Sequence, residues 1–245
     1  MTQQLRSFAD VLASVGKRPP ATADQHATRH YSETLSKELA HWIRDAVLAR
    51  GLGDTVLTPE AKVPTIYGGK SLDVGVLDKR GYLVLDVSIK TFNFKDRTTQ
   101  NYAHNFSGRF YELLGEELDL RRSYRWVTLV ALIFLPEDST VDGKETSSFA
   151  NAVKWYSKIA LPEESDAGGA RFEHVFIGLH KPNGSIYFFD VSQAPPQRGA
   201  PQSKDRLPFE HILAVVSETV AKRQSRIAGD KLPAHTRFRF AKPTA

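Results

Sequence analysis

From Gly69 to Thr91 the chain reads as two short strands joined by a tight turn, and no other stretch restricts the possible folds as much. Leu72, Val74 and Val76 alternate with Ser71, Asp73 and Gly75, and Leu83, Leu85, Val87 and Ile89 alternate with Val84, Asp86, Ser88 and Lys90. A period of two sends successive side chains to opposite faces of a strand, and Asp78-Lys79-Arg80-Gly81 between the runs is turn chemistry. The pattern predicts a hairpin with one apolar face and one face carrying Asp73, Asp86, Ser88 and Lys90. Asp73 then stands across from Asp86 or, with a bulge, nearer Ser88. Two facing carboxylates repel unless a cation or a proton lies between them.

The flanking sequence supplies helices and further strands. Gln3 to Val15 and the periodic run from Arg29 to Val47 predict an N-terminal helical segment over residues 1–57, packed on a core of residues 58–245 with which it forms one structural unit. His26, His30 and His41 fall in that segment without acids at ligand spacing, so they are read as surface or packing histidines. Thr58-Pro59-Glu60 has the form of an N-cap and first helical turn, which puts Glu60 in reach of the hairpin as an accessory acid. After the hairpin, Asn105 to Asp119 predicts a helix whose stripe of Phe110, Leu113, Leu114 and Leu118 leaves Glu112 and Glu116 together on one flank. Trp126 to Leu135 is a nearly continuous apolar run, the pattern of a strand covered on both faces. A helix over Ser147 to Ile159, a hairpin over Phe172 to Val191 and a helix over Phe209 to Gln224 follow. Helices around about five strands describe an α/β fold with a mixed sheet.

With 245 residues and 41% hydrophobic content the chain has enough apolar surface for a sizeable core. The absence of cysteine excludes disulfides, thiol catalysis and thiolate zinc sites. No apolar run approaches the roughly 20 residues that cross a bilayer, and the first residues lack the basic-then-apolar order of a secretory signal, so a cytoplasmic protein away from membranes is expected. The net charge is +5. Its excess gathers after Lys222, where Arg223, Arg226, Lys231, Arg237, Arg239 and Lys242 face a single acid, Asp230. Such a tail suits a polyanion.

Carboxylates gathered on a strand face can hold a hard divalent cation, and a lysine beside them can act on an attacking water or on the charge that grows in a phosphoryl transition state. Asp73 followed by Ser88-Ile89-Lys90 on the next strand, then a helix and an apolar strand, resembles the core of the PD-(D/E)XK nucleases. There an aspartate precedes an acid-x-lysine triplet in strand–strand–helix–strand order. The likeness spans Thr58 to Pro136 and implies a restriction-endonuclease-like mixed β-sheet flanked by helices. It also implies a Mg²⁺-dependent endodeoxyribonuclease (Mn²⁺ as a substitute) of type II restriction-like or phage-defence kind, working on double-stranded DNA as a homodimer, with a defence-system protein as possible partner.

On this likeness Asp73 is a metal ligand and Lys90 acts on water or the transition state. Ser88 replaces the family's second acid, and the missing charge comes from Glu112 on the helix, with Asp86 in reserve and Glu60 and Glu116 as accessory acids. Lys95, Arg97, Arg109, Lys222, Arg226, Arg237 and Arg239 are the expected nucleic-acid contacts. Two other readings fit the same residues. One is a nuclease fold without catalysis, serving as a DNA-binding or assembly subunit, with Ser88 as the trace of the lost site; the other is an unrelated α/β protein whose tail binds an acidic partner.

Overall fold

The computed structural model describes residues 5–20, 22–160 and 172–227. The chain begins with helices α1 (Phe8–Val15) and α2 (Gln25–Ala49), followed by strands β1 (Thr55–Val56), β2 (Lys62–Thr65), β3 (Gly68–Ser71), β4 (Val74–Leu77) and β5 (Leu83–Thr91). Helix α3 (Phe106–Ser123) leads to β6 (Thr128–Pro136), and α4 (Ser148–Tyr156) to β7 (His174–His180), β8 (Ile186–Asp190) and the last helix, α5 (Phe209–Ile227). Among the described residues no helix is long and apolar enough to cross a membrane.

The result is an α/β architecture around a mixed six-stranded sheet in the order β1-β4-β5-β6-β7-β8. β4 and β5 are antiparallel, β5, β6 and β7 run parallel, and β8 returns antiparallel to β7. Parallel neighbours need a crossover, and α3 and α4 supply one each. Every residue of β6 is buried, as its nearly continuous apolar run requires. On β8, Phe188 meets Phe209 of α5 while the next residue, Phe189, meets Phe149 of α4. Adjacent strand residues point to opposite faces, so helices cover both sides of the sheet. The first side is closed by α1, α2 and α5 through Phe8–Trp42 and Trp42–Phe209 ring contacts. On the second, α3 meets α4 through Phe110–Trp155 and Phe106–Tyr156.

Four local readings of the sequence are corrected. The first helix starts at Phe8, capped by Ser7, which exchanges hydrogen bonds with Asp10. Thr58 to Ala61 is a turn: Glu60 takes a left-handed φ of 64°, its amide bonds to the Leu72 carbonyl, and the chain continues at Lys62 into β2. Gly69 to Ser71 pairs with β2 as a separate two-stranded ribbon, Lys62 opposite Ser71 and Thr65 opposite Gly68, which the reading of five strands omits. The buried stripe of α3 is Phe106, Phe110, Leu113, Glu117 and Leu120, with Leu118 at the surface. Glu117 can occupy an inward position because Arg121, one turn on, meets its carboxylate at 3.2 Å.

Candidate active site on the polar face of the hairpin

The hairpin register settles what faces what. Val74 pairs with Val87, Gly75 with Asp86 and Val76 with Leu85, and a shift of register lies between Val76 and Leu77. Asp73 therefore falls beside the Ser88–Ile89 end of β5, and its Oδ2 accepts a hydrogen bond from the Ile89 amide at 2.7 Å. The bulged alternative is the one realised, and it keeps Asp73 from standing opposite Asp86.

The polar face is not solvated. α3 and the β2–β3 ribbon cover it, leaving Asp86 at 2% and Ser88 at 3% exposure. The ribbon is hung from the end of α3: the Ile66 amide donates to Ser123 Oγ at 2.9 Å and the Tyr124 hydroxyl to the Pro64 carbonyl at 2.8 Å. Between sheet, helix and ribbon lies the carboxylate of Glu116. One oxygen accepts from Lys90 Nζ at 3.1 Å and Lys70 Nζ at 3.0 Å, and the other lies 2.8 Å from Ser88 Oγ.

Ser88 Oγ also lies 3.2 Å from Asp86 Oδ2. A hydroxyl has one hydrogen to give, so both contacts are satisfied when Asp86 is protonated and donates to Ser88, which in turn donates to Glu116. The electrostatics agree. Burial first, then the charges of Glu116 and Asp73, push the Asp86 carboxyl well above its ordinary range. Burial also raises Asp73, opposed by the Ile89 amide and Lys90. For Glu116 burial acts upward too, but Lys90, Lys70 and Ser88 outweigh it and hold the group below the usual range. Lys70 is its counterpart: burial lowers its ammonium, and Glu116, Asp86 and Asp73 together lift it above the ordinary lysine value. Of the three carboxyl groups Asp86 is raised furthest, and Glu116 is the one whose lysine neighbours outweigh burial.

Of the sequence-derived residues, Asp73, Asp86, Ser88, Lys90 and Glu116 converge. Glu112 stands at the margin, 45% exposed in its side chain, bonded to Arg109 at 2.7 Å and 3.9 Å from Lys90 Nζ. At 3.6 residues per turn Glu116 is rotated roughly 80° from the middle of the buried stripe and Glu112 roughly 120°, which is why Glu116 reaches the sheet. Glu60 is not among them: its side chain is 69% exposed, 3.9 Å from Lys37, on the wall of the cleft that Asp73 also lines. Lys95 is paired with Asp138 at 3.3 Å above the Tyr102 ring, and Arg97 donates to the Ala23 carbonyl. Lys222 is exposed on α5. The side chain of Arg226, together with Arg237 and Arg239, lies outside the described residues. Lys70 is the participant the sequence did not single out; the turn at Ile66-Tyr67, which folds β3 back over the sheet, was its only local signal.

Beside Asp73 opens a cleft of about 820 Å³ between α2, the end of β5 and the start of α3, lined by Arg29, Ser32, Lys37, His41, Asn93, His104 and Arg109 among others. Its lining mixes apolar residues with basic and acidic ones, Arg29, Lys37 and Arg109 standing against Glu33, Glu60 and Asp73. The oxygen donors of Asp73, Asp86 and Glu116 are of the kind a hard cation such as Mg²⁺ takes. As they lie, however, no three acid or histidine residues among the described residues are grouped to hold a metal, and the Lys70 and Lys90 ammonium groups are bonded to Glu116.

No family model matches the chain, and neither the curated proteins nor the solved structures offer a match.

Proposed function

We propose that the chain is a divalent-metal-dependent phosphodiesterase of the PD-(D/E)XK type, an endodeoxyribonuclease acting on duplex DNA. One observation carries this reading: Glu116 on α3 meets both Ser88 and Lys90 of the Ser88-Ile89-Lys90 triplet, so a carboxylate from the following helix stands where the triplet lacks its own. The strand and helix order supports it, with Asp73 before β4, the triplet on antiparallel β5, α3 as crossover and β6 parallel to β5. Asp73, Asp86 and Glu116 would hold Mg²⁺, whose chemistry when bound is to polarise the phosphate and lower the pKa of a coordinated water.

The remaining tasks belong to the chain's own groups. Lys90 is held by Glu116 and opposes negative charge as it grows on the phosphate. Ser88 keeps Glu116 in orientation. The cleft beside Asp73 takes the sugar-phosphate backbone through Arg29, Lys37 and Arg109, contacts that position a duplex without reading its bases. Cutting both strands calls for a second copy of the chain.

The lysines that neutralise Glu116 favour a second reading, a nuclease fold that binds DNA without cutting it. Supercoiled plasmid with Mg²⁺ separates the two. Nicking or linearisation that disappears in Asp73→Ala and Lys90→Ala supports the enzyme; salt-sensitive binding with no cleavage supports the binding subunit.

A further inference from the structure

The nuclease reading leaves Lys70 without a task, although its ammonium is bonded to Glu116 and lies in the field of the other two acids. It belongs to the β2–β3 ribbon rather than to the catalytic hairpin, bonds Glu116 at 3.0 Å and has Asp86 and Asp73 as its further charged neighbours. These are the three carboxyl groups that the proposed function assigns to the metal. A cation that bonds one of these acids and stands in the field of the other two competes with a divalent ion for them, because like charges repel. The side chain has an exit, since it is 27% exposed where that of Lys90 is 10%.

We infer that Lys70 is a built-in placeholder cation: it occupies the metal's position in the resting site, and its ammonium must leave Glu116 before a divalent ion binds. This inference rests on the nuclease reading and adds to it a control on metal loading. The ribbon need not unfold for the exchange, because its anchors on Ser123 and Tyr124 lie at Ile66 and Pro64, away from Lys70. Only the lysine side chain has to swing outward.

The test is Mn²⁺ affinity, read from the paramagnetic resonance of unbound Mn²⁺ in titrations of the full chain without DNA. Lys70→Met, which keeps the aliphatic stem, should bind Mn²⁺ about tenfold or more tightly than the unmodified chain, as expected when one competing unit charge is removed. Lys70→Gln should do the same, guarding against a folding defect in one variant, while Lys70→Arg and the ribbon control Lys62→Met should bind as the unmodified chain does. In plasmid cleavage the Lys70→Met chain should reach its full rate at a correspondingly lower Mg²⁺ concentration. Equal Mn²⁺ affinity for the unmodified, Met and Gln chains, with cleavage intact, would overturn the placeholder and leave the nuclease standing. Tighter binding with cleavage lost at every Mg²⁺ concentration would also overturn it, by making Lys70 part of the reaction. Absence of both Mn²⁺ binding and cleavage in all forms would remove the nuclease reading, and the placeholder with it.

Discussion

Replacing Glu116 by glutamine keeps the shape of the side chain and removes the charge on which the site converges. Lys90 and Lys70 then lose their carboxylate partner, and Ser88 keeps Asp86 and meets an amide in place of the carboxylate. Removing one member of a fully buried pair costs about 3–5 kcal/mol. Here the side chains are 10%, 14% and 27% exposed and both lysines retain other acids nearby, so screening reduces the cost to roughly 1–3 kcal/mol. For a chain of this length that corresponds to a fall in Tm of about 3–9 °C. Glu112→Gln removes the half-exposed contact with Arg109, a pair worth roughly 0.2–0.5 kcal/mol, and a long 3.9 Å approach to Lys90, and should move Tm by about 1–2 °C or less. Urea and thermal unfolding of both variants, run beside plasmid cleavage, give the comparison. Glu116→Gln should be destabilised and inactive, and Glu112→Gln close to unmodified in both. An inactive but stable Glu112→Gln beside an active Glu116→Gln would refute the assignment of the helix carboxylate.

Lys90→Met should cut plasmid about 10²–10⁴-fold more slowly while retaining DNA affinity; equal loss of binding in a filter assay would make Lys90 a phosphate contact instead. Burial, with Arg18 adding to it and Asp138 opposing, holds the His180 imidazole down to about 4 from an ordinary 6.5. The unfolded chain therefore takes up the proton first on acidification, and stability falls as pH drops from about 6.5 towards 4, by up to about 3 kcal/mol. Urea midpoints of His180→Leu should lose that part of the slope, and an unchanged slope would show that other groups carry it. Gly75→Ala places a Cβ 2.6 Å from Leu72 Cδ1 and 3.0 Å from Leu57 Cδ1. It should cost about 1–3 kcal/mol and reduce cleavage by displacing the residue before Asp73; an unaltered Tm with full activity would show that Leu72 gives way freely.

The alternation on both sides of Asp78 and the nearly continuous apolar run of β6 identify the hairpin and the centre of the sheet, because burial on one face or both leaves a direct mark on residue order. The β2–β3 ribbon leaves no such mark. Pro64, two glycines and exposed residues break its periodicity, so Thr58-Pro59 reads as a helix start when Glu60 in fact turns the chain with a left-handed backbone. The choice between Glu112 and Glu116 depends on the rotation of α3, and that rotation is disguised twice. Leu118 is apolar yet exposed, and Glu117 is charged yet buried beside Arg121. An ion pair is invisible to a pattern of apolar and polar residues, and so is the arrival of Lys70 from a separate ribbon.

The hanging of the ribbon from α3 divides the site between two bodies. Asp73, Asp86, Ser88 and Lys90 ride on the sheet, whereas Glu116 and Lys70 ride together on the helix and the ribbon fastened to its end. A tilt of α3 would carry the second pair as a unit, stretching the Ser88 and Lys90 bonds to Glu116 while leaving the Lys70 bond at its length. The molecule therefore has a seam through this candidate site, and a force applied at the exposed tip of the ribbon, at Ile66 and Tyr67, bears on that seam rather than on the core of the sheet.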